Sequence, residues 1–216
     1  PLVDAVKRGT TTIIDHHASP FAARGSLERI AGAVKETGLR ASLCYELSDR
    51  DGEKVSRDGM EENIAFIERC RKSPDEQIKA LFGLHASFTL KDRTLEEASA
   101  AARRLETGFH VHVAEAKSDQ DYNEKHFGLR VVERLNRFGI LGPKTIAAHC
   151  VHVNDKEIGI LRDTQTAVAH NPQSNQNNAV GIADIIKMTN AGVLVGLGTD
   201  AMTVNMLEEV RVALWA

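Results

Sequence analysis

Short apolar runs alternate with longer amphipathic segments along the whole chain, and this alternation constrains the fold more than any other feature. Seven runs are largely apolar along their length, which is typical of strands buried on both faces. The predicted strands are Thr11–Asp15, Arg40–Glu46, Ile78–Leu84, Phe109–Val113, Thr145–Ala148, Thr166–His170 and Val193–Leu197. The predicted helices, where apolar residues recur three and four positions apart, are Ser26–Thr37, Glu61–Lys72, Leu95–Leu105, Gln120–Phe138, Lys156–Arg162, Ala183–Thr189 and Met206–Leu214. Such alternation predicts an α/β fold with a parallel sheet.

The spacing of the predicted strands favours one α/β architecture over another. A (β/α)₈ TIM-type barrel of roughly 250 residues uses about 31 residues for each strand and helix. The predicted strands recur at about this interval, so the 216 residues hold about seven such units. We therefore predict an incomplete barrel that forms a single domain over residues 1–216. An open doubly wound sheet is the alternative, but it usually carries a glycine-rich phosphate turn after an early strand, and the sequence contains none.

Charge and cysteine content exclude several classes of function. The net charge of −3, from 27 basic and 30 acidic residues, gives no electrostatic reason to expect nucleic acid or an anionic membrane as partner. No apolar stretch approaches the roughly 20 residues of a membrane-spanning helix. Three widely spaced cysteines do not suggest a disulfide framework, which favours a cytoplasmic location. The first residue is Pro1, and the opening segment resembles the end of a helix, so we expect a piece of a longer polypeptide.

A histidine-rich strand is the first candidate for chemistry. In the run GFHVHVAEA, His110 and His112 lie two residues apart and share one face of the predicted strand, and Glu115 follows its end. Imidazole binds zinc or iron, and a nearby carboxylate can move protons to and from a metal-bound water. The alternative is a buried, hydrogen-bonded histidine pair with no metal.

Other predicted strands also end in polar residues. His149 closes one strand, with His152 in the loop beyond it, and His170 closes the next. Asp200 follows a buried apolar strand, and an unpaired buried carboxylate is costly, so a cation or metal is expected near it. The alternatives are a backbone-capping histidine, an Asn-Pro turn after His170 and a helix cap at Asp200.

The joint pattern of these residues is more specific than each of them alone. The residues assigned to ends of different predicted strands are Asp15, His85, His112, His149, His170 and Asp200. Polar residues at the carboxyl ends of barrel strands converge on one site. The polar segment Gln173–Ala179, which we predict as a loop, follows a strand directly and would lie on the same face.

Four ordered motifs resemble a known family. The runs HVHVAEA, AAHCVH, HNPQSN and GLGTDAM resemble the amidohydrolase superfamily, in the group that includes cytosine deaminases, chlorohydrolases and adenosylhomocysteine deaminase-like proteins. The resemblance extends over nearly the whole chain. It implies a metal-dependent hydrolase of non-peptide carbon–nitrogen bonds, in particular an aminohydrolase that deaminates a heterocyclic or related amine. A chlorohydrolase on the same scaffold and a metal-free, non-catalytic fragment remain alternatives.

The resemblance also implies roles for individual residues. One divalent metal, zinc or iron, would be bound by His112 and Asp200, and His149 is a ligand in some relatives. Glu115 corresponds to the residue that moves protons between the attacking water and the leaving nitrogen. His149 corresponds to the histidine that positions or polarises that water, and Asp200 helps to hold it. The expected substrate-binding residues are His85, His152, His170 and Asn175, and the expected partner is a small molecule.

One departure from the family pattern sets a further expectation. The family carries a His-x-His pair on its first barrel strand, after a β-sandwich segment, and no such pair precedes Thr11. The His110 and His112 pair cannot replace it, because His112 is already assigned. We therefore expect the first strand and the flanking β-sandwich segments to be absent and the isolated chain to be inactive or nearly so. Unpaired sheet edges beside Thr11–Asp15 and Val193–Leu197 invite pairing with another chain, which predicts a homo-oligomer.

Overall fold

The computed structural model describes residues 1–216, which form ten α-helices and eight β-strands. In chain order these are α1 (Leu2–Lys7), β1 (Thr12–His17), α2 (Ser26–Thr37), β2 (Arg40–Tyr45), α3 (Glu53–Lys72), β3 (Ile78–Ala80), β4 (Phe82–Ala86), α4 (Asp92–Arg104), β5 (Phe109–Val113), α5 (Lys117–Phe127), α6 (Val131–Arg137), β6 (Ile146–His149), α7 (Asp155–Asp163), β7 (Ala167–His170), α8 (Pro172–Asn177), α9 (Ile185–Asn190), β8 (Val195–Leu197) and α10 (Met206–Trp215). A short 3₁₀ helix covers Ser87–Thr89. The predicted α/β class is confirmed, and the closure of the strands into a barrel stays a prediction.

The chain divides into two compact units. The first comprises Pro1–His85 and Thr89–His110, and the second comprises Ala86–Phe88 and Val111–Ala216. No helix in the structure combines the length and the apolar composition that crossing a lipid bilayer requires.

The first unit contains a parallel sheet in the order β1-β2-β3. Ala41 on β2 lies opposite Ile13 on one side and Ile78 on the other. Helix α2 forms here because its residues Leu27, Ala31 and Val34 recur at helical spacing, and all three are buried. Each fully buried leucine or valine contributes about 1.5–3 kcal/mol relative to an exposed one.

In the second unit, β7 lies between β6 and β8, and both pairings are parallel. Ala147 on β6 lies opposite Val168 on β7, and Ala169 lies opposite Gly196 on β8. The part of β5 in this unit lies beside β6, where the Cys150 amide donates a 2.9 Å hydrogen bond to the Val113 carbonyl.

The predicted strand Ile78–Leu84 is in fact two strands, β3 and β4, which are separated at Leu81. The carboxamide of Asn63, a fully buried residue of α3, lies between β2 and β4. Its Oδ1 accepts from the Tyr45 and Gly83 amides at 3.0 and 3.1 Å, and its Nδ2 donates to the Tyr45 carbonyl at 2.8 Å. The side chain thus replaces backbone partners that a continuous strand would supply. Only glycine fits at position 83, since a Cβ there would lie 2.2 Å from the Tyr45 oxygen.

Three predicted boundaries are also corrected. The single helix predicted over Gln120–Phe138 is interrupted between α5 and α6 by Gly128, which has a left-handed φ of 66°. The helix predicted over Glu61–Lys72 in fact begins at Glu53, because the charged residues before Glu61 suit the exposed face of a helix as well as a loop. The predicted loop Gln173–Ala179 is largely helix α8, which begins with a proline, a residue favoured in the first helical turn.

The contacts of Asn63 predict that Asn63→Leu lowers the free energy of unfolding by about 2–6 kcal/mol, because two buried amides lose their acceptor at roughly 1–3 kcal/mol each. Urea denaturation measures the change. Arg57→Leu, at an exposed position on the same helix, is the matched control and is expected to change stability by less than about 0.5 kcal/mol. An Asn63→Leu variant as stable as the control would show that the carboxamide does not stabilise this junction.

Candidate active site

The candidate site lies in the second unit, where polar residues occupy the ends of neighbouring strands. His149 ends β6, His170 ends β7, and Asp200 lies three residues beyond the end of β8. Glu115 lies two residues beyond β5, which also carries His112. Because β6, β7 and β8 are parallel, their carboxyl ends share one edge of the sheet.

His149 is the centre of this group. Its side chain is 1% exposed, and its Nε2 lies 3.7 Å from Glu115 Oε2 and 3.9 Å from Asp200 Oδ2. Its ring stacks with that of His112, with 5.5 Å between ring centroids and 27° between ring planes. The structure thus brings together the four residues to which the sequence assigned metal binding and catalysis.

The backbone at these positions is strained. Positive φ angles occur at Ala114 (47°), His149 (73°), Cys150 (51°) and Asp200 (49°), all in the left-handed region that favours glycine. Each such residue costs about 1–3 kcal/mol and persists only where the surrounding structure holds it. The Cys150 amide is held by the carbonyls of Val113 and Ala148. The left-handed backbone at these residues therefore orients the side chains towards the site and lowers the stability of the fold.

Hydrogen bonds hold the two carboxylates in place. Burial raises the pKa of Asp200. Hydrogen bonds from the Ser174 hydroxyl, which donates to Oδ2 at 2.6 Å, and from the Ala201 amide lower this pKa. The nearby His149 and His112 lower it further, and together these contacts outweigh burial. The pKa of Asp200 therefore lies below its usual value, and the side chain is an ionised carboxylate at neutral pH.

Glu115 is held at both its backbone and its side chain. Its amide donates to Asp119 Oδ2 at 3.1 Å, within the capped first turn of α5. Its side chain is 25% exposed, and its Oε1 accepts a 3.2 Å hydrogen bond from Asn178 Nδ2. Glu115 is thus partly open to solvent beside the buried His149.

The residues predicted to bind substrate occupy different surroundings. His170 is 1% exposed, and burial, together with the neighbouring His149, lowers its pKa. Asn175 is also 1% exposed, and its Oδ1 lies 2.8 Å from His149 Nδ1. His152 is half-buried, and its Nε2 donates to the Val180 carbonyl at 2.7 Å.

His85, the remaining predicted substrate-binding residue, lies in the first unit. Arg50 Nη1 donates to its Nε2 at 3.1 Å, so the ring proton lies on Nδ1 and faces Thr89 Oγ1 at 2.8 Å. A second bond, from Arg50 Nη2 to Glu46 Oε1 at 2.5 Å, orients the guanidinium.

Sequence reasoning missed the polar residues around the site, namely Asn171, Ser174 and Asn178. Ser174 and Asn178 are four residues apart, so both lie on one side of the helix that was predicted as a loop. The available signal for this helix was an Asn-Pro pair followed by polar residues four positions apart. The high Asn and Gln content of the segment is typical of a loop and concealed that signal.

The donor set of the site suits a divalent metal. The His149 imidazole stacks on the His112 ring and faces two carboxylates, and the gaps of 3.7 and 3.9 Å from its Nε2 to the carboxylate oxygens are too wide for hydrogen bonds. Zinc takes imidazole nitrogen and carboxylate oxygen ligands in such arrangements. The donor types present therefore suit a metal such as zinc.

Comparison with known proteins identifies the family. The model of the amidohydrolase family matches residues 2–215. The chain belongs to the amidohydrolase family. It is 36% identical over 217 residues to a 5-methylthioadenosine/S-adenosylhomocysteine deaminase of Desulforudis audaxviator, covering 98% of this chain and 48% of the relative. It is 34% identical over 215 residues to a 5′-deoxyadenosine deaminase of Methanobrevibacter smithii, with 98% and 48% covered.

A solved structure shows a similar fold. An adenosine deaminase from Xanthomonas campestris, solved with bound zinc, superposes with a TM-score of 0.86 at 24% identity. The match covers 98% of this chain and 48% of that one. The chain thus spans about half the length of the curated relatives that it matches.

A buried ionic network supports the segment that follows His149. The carboxylate of Glu157 on α7 is fully buried and accepts from Arg130 Nε at 2.8 Å, from the Val132 amide at 3.1 Å and from the Asn154 amide at 3.0 Å. Arg130 Nη2 also donates to the His152 carbonyl at 2.8 Å. Glu157 therefore links α6 and α7 to the loop beyond β6.

This network predicts that Glu157→Ala destabilises the protein by about 3–5 kcal/mol, as removal of one partner of a buried ion pair does. Thermal and urea unfolding measure the effect. Asp155→Ala on the same helix removes an exposed ion pair with Lys187 and is expected to cost less than about 1 kcal/mol. Equal stability of the two variants would contradict the supporting role of Glu157.

Proposed function

We propose that this chain forms part of the active site of a metal-dependent aminohydrolase that releases ammonia from a purine nucleoside of the adenosine type. The observation that carries the proposal is the approach of Glu115 and Asp200 to the buried His149, beside His112. Membership of the amidohydrolase family supports hydrolysis of a carbon–nitrogen bond. The names of the two curated relatives support an adenosine-type substrate.

An incomplete (β/α)₈ barrel is the architecture we infer for this activity. The parallel pairing of the strands and the superposition on a deaminase over nearly the whole chain support it. In such a barrel the strand ends that carry His149, His170 and Asp200 form the active face.

The metal would be held by His112 and Asp200, with His149 Nε2 as a further ligand. When bound, a zinc ion lowers the pKa of a coordinated water towards ~7 and stabilises negative charge that develops in the reaction. The lowered pKa of Asp200 keeps its carboxylate ionised and ready to act as a ligand. The zinc bound to the Xanthomonas structure supports this choice of metal.

Glu115 is the group that moves protons. It accepts a proton from the attacking water, whose oxygen bonds to the ring carbon that carries the amine, and it delivers that proton to the departing nitrogen. The carbon–nitrogen bond breaks, ammonia leaves, and the ring carbon keeps the oxygen. The Asn178 contact holds one carboxylate oxygen of Glu115, while the other faces His149. His149 holds the attacking water in place from the buried side.

Glu115→Gln tests the proton-transfer role. We expect turnover to fall by about 10²–10⁴-fold, as loss of a positioned acid–base group does, while bound zinc stays unchanged. Ammonia release is measured with 5′-methylthioadenosine, S-adenosylhomocysteine and 5′-deoxyadenosine, in the full polypeptide that carries residues 1–216. Asp121→Asn, an exposed acidic residue on α5, is the control and should keep its activity. A fully active Glu115→Gln enzyme would disprove the assignment, and chloride release from a chlorinated ring in place of ammonia would favour a chlorohydrolase.

His112→Ala and Asp200→Ala test metal binding. Each removes one ligand, so we expect zinc and activity to be lost together. Zinc is measured by elemental analysis of the dialysed protein, alongside ammonia release. Variants that keep full zinc content while activity disappears would show that these side chains act on the substrate and not on a metal.

A further inference from the structure

Helix α8 and the residue after it contact three residues of the site with three different side chains. Ser174 Oγ donates to Asp200 Oδ2 at 2.6 Å, and Asn178 Nδ2 donates to Glu115 Oε1 at 3.2 Å. Between them in sequence, Asn175 contacts His149. We call Ser174, Asn175 and Asn178 the α8 set.

The contact between Asn175 and His149 determines which ring nitrogen carries the proton. Asn175 Oδ1 lies 2.8 Å from His149 Nδ1, and a carboxamide oxygen only accepts hydrogen bonds. The proton of the neutral ring therefore lies on Nδ1. The lone pair lies on Nε2, the atom that faces Glu115 and Asp200. Both side chains are buried to 1% exposure, so water does not compete for this bond.

Asn171 adds a second restraint on the same ring. Its Nδ2 lies 3.5 Å from each ring nitrogen of His149, and with the ring proton on Nδ1 only Nε2 can accept a hydrogen bond from it. The position of Asn171 depends on Gly198, where an added Cβ would lie 2.2 Å from Asn171 Oδ1. The imidazole is thus restrained by Asn171 and Asn175 as well as by its contact with His112.

We propose that the α8 set is a positioning element, in which Asn175 fixes the Nδ1–H tautomer of His149 and so directs its Nε2 lone pair into the site. Ser174 and Asn178 hold the two carboxylates that face this lone pair. This proposal rests on the proposed function, which gives the two carboxylates and His149 their roles in the site. It gives Asn175 a positioning role in place of the substrate contact that the sequence predicted.

The first test needs neither metal nor substrate. Nitrogen-15 NMR of histidine-labelled, metal-free protein reports the tautomer of each neutral imidazole at alkaline pH, and His149→Gln identifies the His149 signals. We expect an Nδ1–H tautomer at His149. An Nε2–H tautomer in the unsubstituted protein would overturn the proposal, whether or not any variant folds.

Substitutions at Asn175 provide the second test. Asn175→Leu keeps the approximate volume and removes the acceptor, whereas Asn175→Asp keeps an acceptor for Nδ1–H. We expect the leucine variant to lose the Nδ1–H preference and to bind zinc about 10–100-fold more weakly, as loss of such supporting contacts does. The aspartate variant should keep the tautomer and most of the zinc affinity. Gln176→Leu, at the exposed neighbouring position on α8, is the matched control and should match the unsubstituted protein.

The outcomes separate the positioning role from the proposed function. If the leucine variant is folded and keeps both the tautomer and the zinc affinity, the positioning role is wrong. If the tautomer depends on Asn175 as expected but the full polypeptide that carries residues 1–216 releases no ammonia from any of the three nucleosides, the proposed function fails and the positioning role stands. If the leucine variant does not fold, the tautomer measured in the unsubstituted protein decides whether the positioning role is correct.

Discussion

Parallel pairing of β6, β7 and β8 is the constraint on which the candidate site depends. It brings the ends of three strands to one edge of the sheet, and His149, His170 and Asp200 lie there although up to 51 positions separate them in sequence. Strands of this kind must be apolar on both faces, so polar side chains are confined to their ends. The same rule that buries the strands therefore concentrates the titratable groups of this unit.

The site is assembled at an energetic cost. Left-handed backbone at His149, Cys150 and Asp200 and the burial of an imidazole between two carboxylates are each unfavourable by themselves. The supporting contacts offset this cost. Glu157 holds the loop beyond β6, Ser174 holds Asp200, and Asn175 satisfies the buried nitrogen of His149. This distribution of strain and support is expected where a fold holds reactive groups ready for a ligand.

Much of the fold and the centre of the site could be predicted from local patterns. Apolar runs bounded by polar ends located β5, β6 and β7 to within one residue, and the same pattern selected Glu115, His149 and Asp200. Features set by contacts distant in sequence could not be predicted. The break between β3 and β4 depends on the side chain of Asn63, which lies on a preceding helix, and α8 has a composition typical of a loop. Asn175 was predicted to face a substrate because nothing in its neighbours indicates that it reaches His149. The cytoplasmic location and the homo-oligomer stay predictions.

We infer that the strand ends of the second unit form a metal site for hydrolysis. Anomalous diffraction at the zinc absorption edge, from crystals of the zinc-loaded protein, tests this inference. We expect one strong peak within about 2.0–2.2 Å of a His112 nitrogen and an Asp200 oxygen, close to Glu115 and His149. A zinc ion bound elsewhere, with none between His112 and Asp200, would contradict it.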